Sequence, residues 1–231
     1  MTIELVTFDL DNTLWDVDTV IRRAEREMRS WIDPQVGRYN RMDAETLAEH
    51  RRRAVADDPS LRHDVTRMRL VVMERAFLDC GVPSHRAGPL ASEAFEVFMQ
   101  WRNKVEFFDG ALDALELLSG RYQLAALTNG NADIARIGLD TFFSFAINAA
   151  DVGASKPDPA MFLAALGHAG VAGSNAVHVG DNPVDDVEGA TGAGFHSIWV
   201  NLNESPDATD ATREVRRLDE LERAIASIGK V

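Results

Sequence analysis

Cysteine is nearly absent from this chain: Cys80 is the only one in 231 residues, so no intrachain disulfide can form and a reducing cytoplasm is the expected setting. That thiol reads as a small hydrophobe near a helix end. Long apolar runs are missing too, which excludes a membrane-spanning helix as the basis of function. No basic, apolar and small-residue succession of a secretory signal follows Met1, and strand-like sequence begins within two residues. Positive charge is scarce. Against 37 Asp and Glu stand 24 Lys and Arg, a net charge of −13. Nucleic acid is therefore not the expected partner, because phosphate backbones need clustered cations. Neither an internal repeat nor a low-complexity tract is present.

What the chain does have is an ordinary globular composition, 45% hydrophobic and 26% charged, at a length that can bury a substantial core. The acidity is unevenly placed. Residues 16–105 carry 16 basic and 15 acidic residues, a net of +1, which leaves −14 for the remainder. This asymmetry suggests two modules. Short apolar runs rich in β-branched residues recur at 3–8, 123–127, 145–149, 176–179 and 197–200, and read as buried strands. Helical spacing follows Gly110 (Leu112, Leu115, Leu118), Pro159 (Phe162, Ala165, Leu166, Ala169) and Pro183 (Val184, Val187, Ala190). Strands alternating with helices predict an α/β fold: a Rossmann-like parallel sheet flanked by helices, with ligands at the carboxyl ends of the strands.

Residues 16–105 break that rhythm. They show helical stripes (Ile21, Ala24, Met28, Trp31; Met68, Val71, Val72, Arg75, Leu78; Phe95, Phe98, Met99, Trp101) and no strand, with Asp33-Pro34, Asp58-Pro59 and Gly81-Val82-Pro83 as punctuation. The expected organisation is a catalytic α/β core formed by 1–15 and 106–231, and an inserted all-helical cap of 16–105. The polar stretch 201–212 reads as a loop before a last helix carrying Leu218, Leu221 and Ile225.

Reactive side chains gather just past four expected strand ends: Asp9, Asp11 and Thr13; Thr128, Asn129, Gly130 and Asn131; Lys156; and Asp181, Asp185 and Asp186. Parallel strands bring such ends side by side. Crowded carboxylates take up protons or bind a cation. With five aspartates and no Cys or His cluster, the cation expected is a hard, oxygen-liganded one, Mg²⁺. Thr128 offers a hydroxyl, and Gly130 and Asn131 offer backbone N–H groups at an expected helix start, an anion site at which Asn129, Gly130 and Asn131 are expected to contact substrate. Lys156 supplies a compact positive charge. Such a set suits phosphoryl transfer by positioning and charge neutralisation.

Phe8-Asp9-Leu10-Asp11-Asn12-Thr13-Leu14, Leu127-Thr128-Asn129-Gly130, Lys156-Pro157, and Val179-Gly180-Asp181 with Asp186 together resemble the four motifs of the haloacid dehalogenase superfamily. The match spans almost the whole chain, and the helical insertion resembles that family's type 1 cap. The resemblance implies a phosphohydrolase in which Asp9 attacks phosphorus and Asp11 shuttles the proton. It implies Mg²⁺ held by Asp9, Asp11 (through its carbonyl), Asp181 and Asp186, with Asp185 as the ambiguous neighbour of Asp186. Dehalogenases lack an acid at the position of Asp11, since a halide needs no proton to leave. Phosphosugar mutases share both acids and stay open, as does a non-catalytic phosphate-binding regulator. His63-Asp64-Val65-Thr66-Arg67, with Trp101-Arg102, is similar to a bacterial branch acting on FMN and a ribitylamino-uracil phosphate of riboflavin synthesis. On that resemblance His63 and Arg67, four apart on one helix face, would contact a small-molecule phosphate ester. Arg102 would join them, with Trp15 and Trp101 beside it. His178, inside an expected strand, reads as a satisfied core histidine.

Overall fold

Leu5–Phe8 forms the first strand (β1), buried along its whole length, in the computed structural model, which describes residues 2–206 and 209–229. The chain divides into two compact units, Met1–Asp16 with Glu106–Val231, and Val17–Val105. The second unit is helical: α1 (Val17–Val36), α2 (Ala44–Asp57), α3 (Val65–Asp79) and α4 (Ser84–Arg102). On α1, Val20, Ala24, Met28, Ile32 and Val36 recur every fourth residue and make one buried stripe. Ala24, Met28 and Ile32 pack with Met73, Ala76 and Phe77 of α3 and with Ala87, Leu90, Ala91, Ala94 and Phe98 of α4. The stripe is rotated from the expected one, with Ile21 and Trp31 only partly buried at its edges. Pro34, part of the expected punctuation, lies inside the last turn of α1, where its missing N–H costs a single amide hydrogen bond. Aspartate caps start two of the helices: Asp43 accepts from Thr46 N (2.7 Å) and Asp64 from Arg67 N (2.8 Å).

The first unit continues with α5 (Ala111–Ser119), β2 (Gln123–Thr128), α6 (Ile134–Ile137), β3 (Phe145–Asn148), α7 (Ala149–Val152) and α8 (Ala160–Ala169). Then follow β4 (Ala176–Gly180), α9 (Gly189–Gly192), β5 (His196–Val200), β6 (Arg213–Val215) and α10 (Leu221–Ile228). Among the described residues one six-stranded sheet runs in the order β3-β2-β1-β4-β5-β6, and every pairing is parallel. Burial on both faces explains why these strands read as continuous apolar runs rather than alternating ones. One face packs Leu5, Ala125 and Leu127 against Met161, Phe162, Ala165 and Phe195.

Two differences from the sequence expectation are local. β6 went unread because three residues with only Val215 buried give no period to detect. The expected loop 201–212 precedes it, and residues 207 and 208 of that loop lie outside the described residues. After Pro183 the chain makes a wide π-type turn, Pro183–Glu188, before α9. No helix among the described residues is long and apolar enough to cross a membrane.

Strand order reverses at β1, whose neighbours are β2 and β4. Phe8 pairs with Ala126 on one side and Val179 on the other, so the ends of three strands meet at one edge of the sheet.

Candidate active site

Asp9 stays in register after β1 ends: its N–H donates to Val179 O (2.8 Å). The chain then turns sharply. Asn12 takes a left-handed conformation (φ 63°), Asn12 N donates to Trp15 O (2.8 Å) and Leu14 N to Leu10 O (2.9 Å). The buried Thr13 hydroxyl lies 3.3 Å from Asp9 Oδ2 and 3.1 Å from Asp181 Oδ1, tying the first loop to the one after β4.

Lys156 reaches this point through Asn129. The Asn129 amide accepts from Lys156 N (2.7 Å) and donates to Lys156 O (3.0 Å), as a neighbouring strand would. It also donates to Asp185 Oδ2 (3.2 Å). Asn129, expected to touch substrate, therefore spends its side chain on fixing the lysine. Lys156 Nζ, fully buried, donates to Asp9 Oδ1 (2.7 Å) and Asp186 Oδ1 (2.6 Å). Asp186 is 2% exposed. It also takes a hydrogen bond from His178 Nε2 (3.0 Å), and at Oδ2 one from Asn182 N (2.9 Å). His178 Nδ1 faces Thr7 Oγ1 at 2.8 Å. A Cβ on Gly180 would overlap the Asp186 carboxylate, so this position is closed to any side chain.

Burial is the main electrostatic fact here. It pushes Asp9 up to about 8, against the pull of Lys156 and with the Asp186 and Asp181 charges adding to it. Burial and the Asp186 charge push Asp181 up to about 6. For Asp186 burial also opposes the anion, but Lys156 and the His178 hydrogen bond outweigh it and hold the carboxyl well below the usual range. Burial works to discharge Lys156, and the Asp9 and Asp186 charges overcome that. His178 is kept neutral by burial. Asp9, Asp181 and Asp186 each place an oxygen within 4.8 Å of the others'. Once all three carboxylates are ionised, the single lysine leaves two negative charges uncompensated, which a divalent cation with oxygen ligands matches. The residues present fit such an ion. Asp185 instead faces Asn129.

Asp11 is half-buried, and its Oδ1 accepts a hydrogen bond from Trp15 Nε1 (2.8 Å). Thr128 is buried and its Oγ1 accepts from Gly130 N (3.0 Å), which leaves the hydroxyl hydrogen to be donated onward. The anion site expected at a helix start is corrected: Gly130 and Asn131 precede α6, a single turn that begins at Ile134 and is capped by Asp133. Gly and Asn in sequence favour a turn as readily as a helix start, and the turn won.

His63 closes a separate 3₁₀ turn, Pro59–His63, and Asp64 caps α3, so His63 and Arg67 do not share a helix. The guanidinium of Arg67, exposed, pairs with Asp58 (3.0 Å). Arg102 is 1% exposed. Trp101 is partly buried against the helical core, and Lys104 Nζ lies 3.8 Å from its ring centre. Trp15, expected beside it as a ligand surface, is instead buried in the first unit. Sequence reasoning also missed Thr7 and Trp199; the Trp199 Nε1 donates to Asp181 O (2.8 Å). For Thr7 the signal was position, since it lies in the strand that runs into Asp9; Trp199 lies in β5, which is followed by no reactive group, and gave no local signal.

Residues 3–194 match the model of a hydrolase family, haloacid dehalogenase-like hydrolase; the chain belongs to that family and is a hydrolytic enzyme. Over 201 residues it is 35% identical to 5-amino-6-(5-phospho-D-ribitylamino)uracil phosphatase YigB of Escherichia coli (strain K12), covering 86% of this chain and 83% of that one. It is 36% identical over 149 residues to the phosphoserine phosphatase of Thermus thermophilus, covering 62% and 60% of the two chains. A crystal structure described as 2-haloacid dehalogenase from Pseudomonas syringae pv. Tomato DC3000 superposes with a TM-score of 0.93 at 43% identity, over 98% of this chain and 99% of that one.

Proposed function

We propose that this enzyme is a Mg²⁺-dependent phosphatase of small-molecule phosphate monoesters, working through an aspartyl-phosphate on Asp9 in a reducing cytoplasm. The observation that carries the reading is the buried convergence of Asp9 with Lys156, Asp181 and Asp186. Asp9 attacks phosphorus, the bond from phosphorus to the leaving oxygen breaks, and Asp11 gives that oxygen a proton. Water then attacks the phosphoryl group, loses its proton to Asp11, and frees Asp9 and inorganic phosphate. Lys156 holds Asp9 aligned and, with the Thr128 hydroxyl, meets the phosphoryl oxygens. Asp9, Asp181, Asp186 and the carbonyl of Asp11 would hold Mg²⁺, which supplies charge neutralisation at the phosphoryl group when bound. FMN or a ribityl phosphate is the substrate we favour, in line with the relative that covers most of the chain.

A second reading is supported by the 43% identical structure described as a dehalogenase. Asp11 argues against it, because expelling a halide requires no proton donor, whereas an alkoxide does. Inorganic phosphate release from a panel of phosphorylated metabolites, with and without Mg²⁺, decides between them alongside chloride release from 2-chloropropionate. Phosphate release that stops in Asp9→Asn is expected. Release surviving that change, or chloride release alone, refutes the proposal.

A further inference from the structure

We propose that Trp15 is a positioning residue for the proton shuttle: its indole N–H fixes the Asp11 carboxylate toward the oxygen that leaves phosphorus. The inference rests on the phosphatase reading above.

Trp15 is fully buried, and a buried indole N–H must find an acceptor. It finds Asp11 Oδ1 at 2.8 Å. The ring cannot swing away. The backbone of Trp15 bridges to Asp11 on one side and to Phe107 on the other, and Asn12 N donates to its carbonyl (2.8 Å). Phe107 meets the indole edge-on, with ring centres 5.8 Å apart at 77°. The reactive carboxylate is therefore held by a donor that is itself locked by packing.

The chemistry of the donor matters. A shuttle gains and loses a proton in every turnover, so a lysine, arginine or protonated histidine beside it would favour one state strongly or exchange the proton itself. An indole N–H is neutral, donates only, and does not ionise in this range. It keeps the carboxylate oriented in both protonation states. Leucine or phenylalanine would fill the same apolar space without that function.

The test is leaving-group dependence of kcat/KM, which reports the step in which Asp9 bonds to phosphorus and the ester oxygen departs. An alkyl phosphate such as ribitol 5-phosphate needs the proton from Asp11, and p-nitrophenyl phosphate needs it little. In Trp15→Phe the alkyl-to-aryl ratio of kcat/KM is expected to fall about tenfold or more, a fraction of the usual worth of a general acid. Mg²⁺ affinity by calorimetry should stay within about twofold. In an Asp11→Asn background, Trp15→Phe should change the ratio no further, as two residues acting through one proton transfer are coupled. Should Trp15→Phe not fold, benzothienylalanine at position 15 replaces the N–H by sulfur in a ring of the same shape, and the same ratio is read. An equal loss on both esters makes Trp15 a packing residue and overturns the proposal. A wild-type enzyme that hydrolyses neither ester overturns the phosphatase reading instead.

Discussion

Asp9 carries a conflict between folding and chemistry that a single substitution exposes. Its carboxyl ordinarily titrates at 3.8 and is pushed up to about 8 in the folded core. Between those values the folded protein keeps a proton that the unfolded chain has lost, so stability falls as pH rises, by about 1.4 kcal/mol per pH unit, and levels off above 8. Other buried groups confine the useful window. His178 is lowered from 6.5, so its contribution rises with pH only up to that value. Asp181, pushed up to about 6, has mostly ionised in both states by then. Lys156 is raised from 10.5 and acts only far above. From about pH 6.5 to 8 Asp9 dominates and should cost the metal-free protein about 2 kcal/mol, a fall in Tm of about 4–8 °C for a chain of this size. Asp9→Asn mimics the protonated form. In EDTA its Tm should be flat across the window and, at pH 7, higher than wild type by up to about 4 kcal/mol of stability, with turnover abolished. Thermal unfolding by circular dichroism at four pH values measures both. A wild-type Tm that is flat or rises from pH 6.5 to 8, or an Asp9→Asn slope equal to the wild-type one, would refute the reasoning.

Lys156→Met leaves Asp9 and Asp186 buried without their shared cation and should destabilise the metal-free protein by about 3–5 kcal/mol in denaturant titration, with Mg²⁺ recovering part of the loss. Gly180→Ala forces the Asp186 carboxylate aside; a loss of about 1–3 kcal/mol of stability is expected together with weaker Mg²⁺ binding by calorimetry. Asn129→Ala removes both bonds to the Lys156 backbone, which should cost about 2 kcal/mol and lower kcat more than it raises KM.

The parallel sheet was legible because buried strands are unbroken apolar runs and their carboxyl ends are where polar residues resume: Asp9 after Phe8, Thr128 closing β2, Asp181 after Gly180. Those ends had to meet once the strands paired, whatever the loops did. Less legible were features set by partners remote in sequence. Thr7 and His178 are 171 positions apart, and only the β1–β4 register places one opposite the other. Asn129 looked like a ligand contact because nothing local says that Lys156 will run alongside it. His63 and Arg67 looked like helix neighbours because spacing of four is a helical signal, but Asp64 between them is a good cap and starts the helix after His63. Trp15 looked like a ligand surface because an aromatic beside a reactive loop reads the same way whether its ring faces out or in.

Trp15, His178 and Trp199 share a role that none shows alone. Each is buried, each must place a ring N–H, and each places it on an acidic loop: Asp11 Oδ1, Asp186 Oδ1 and the carbonyl of Asp181. A core residue normally answers only to packing, so a swap of similar volume is tolerated. Here the same side chains also answer to the geometry of the site, because each ring N–H fixes an oxygen of an acidic loop. Trp199→Phe would keep most of the packing and still release the loop that carries Asp181. A stability assay would score it as mild, and metal affinity would score it as severe, because the N–H that the core must satisfy is the one that holds the acidic loop.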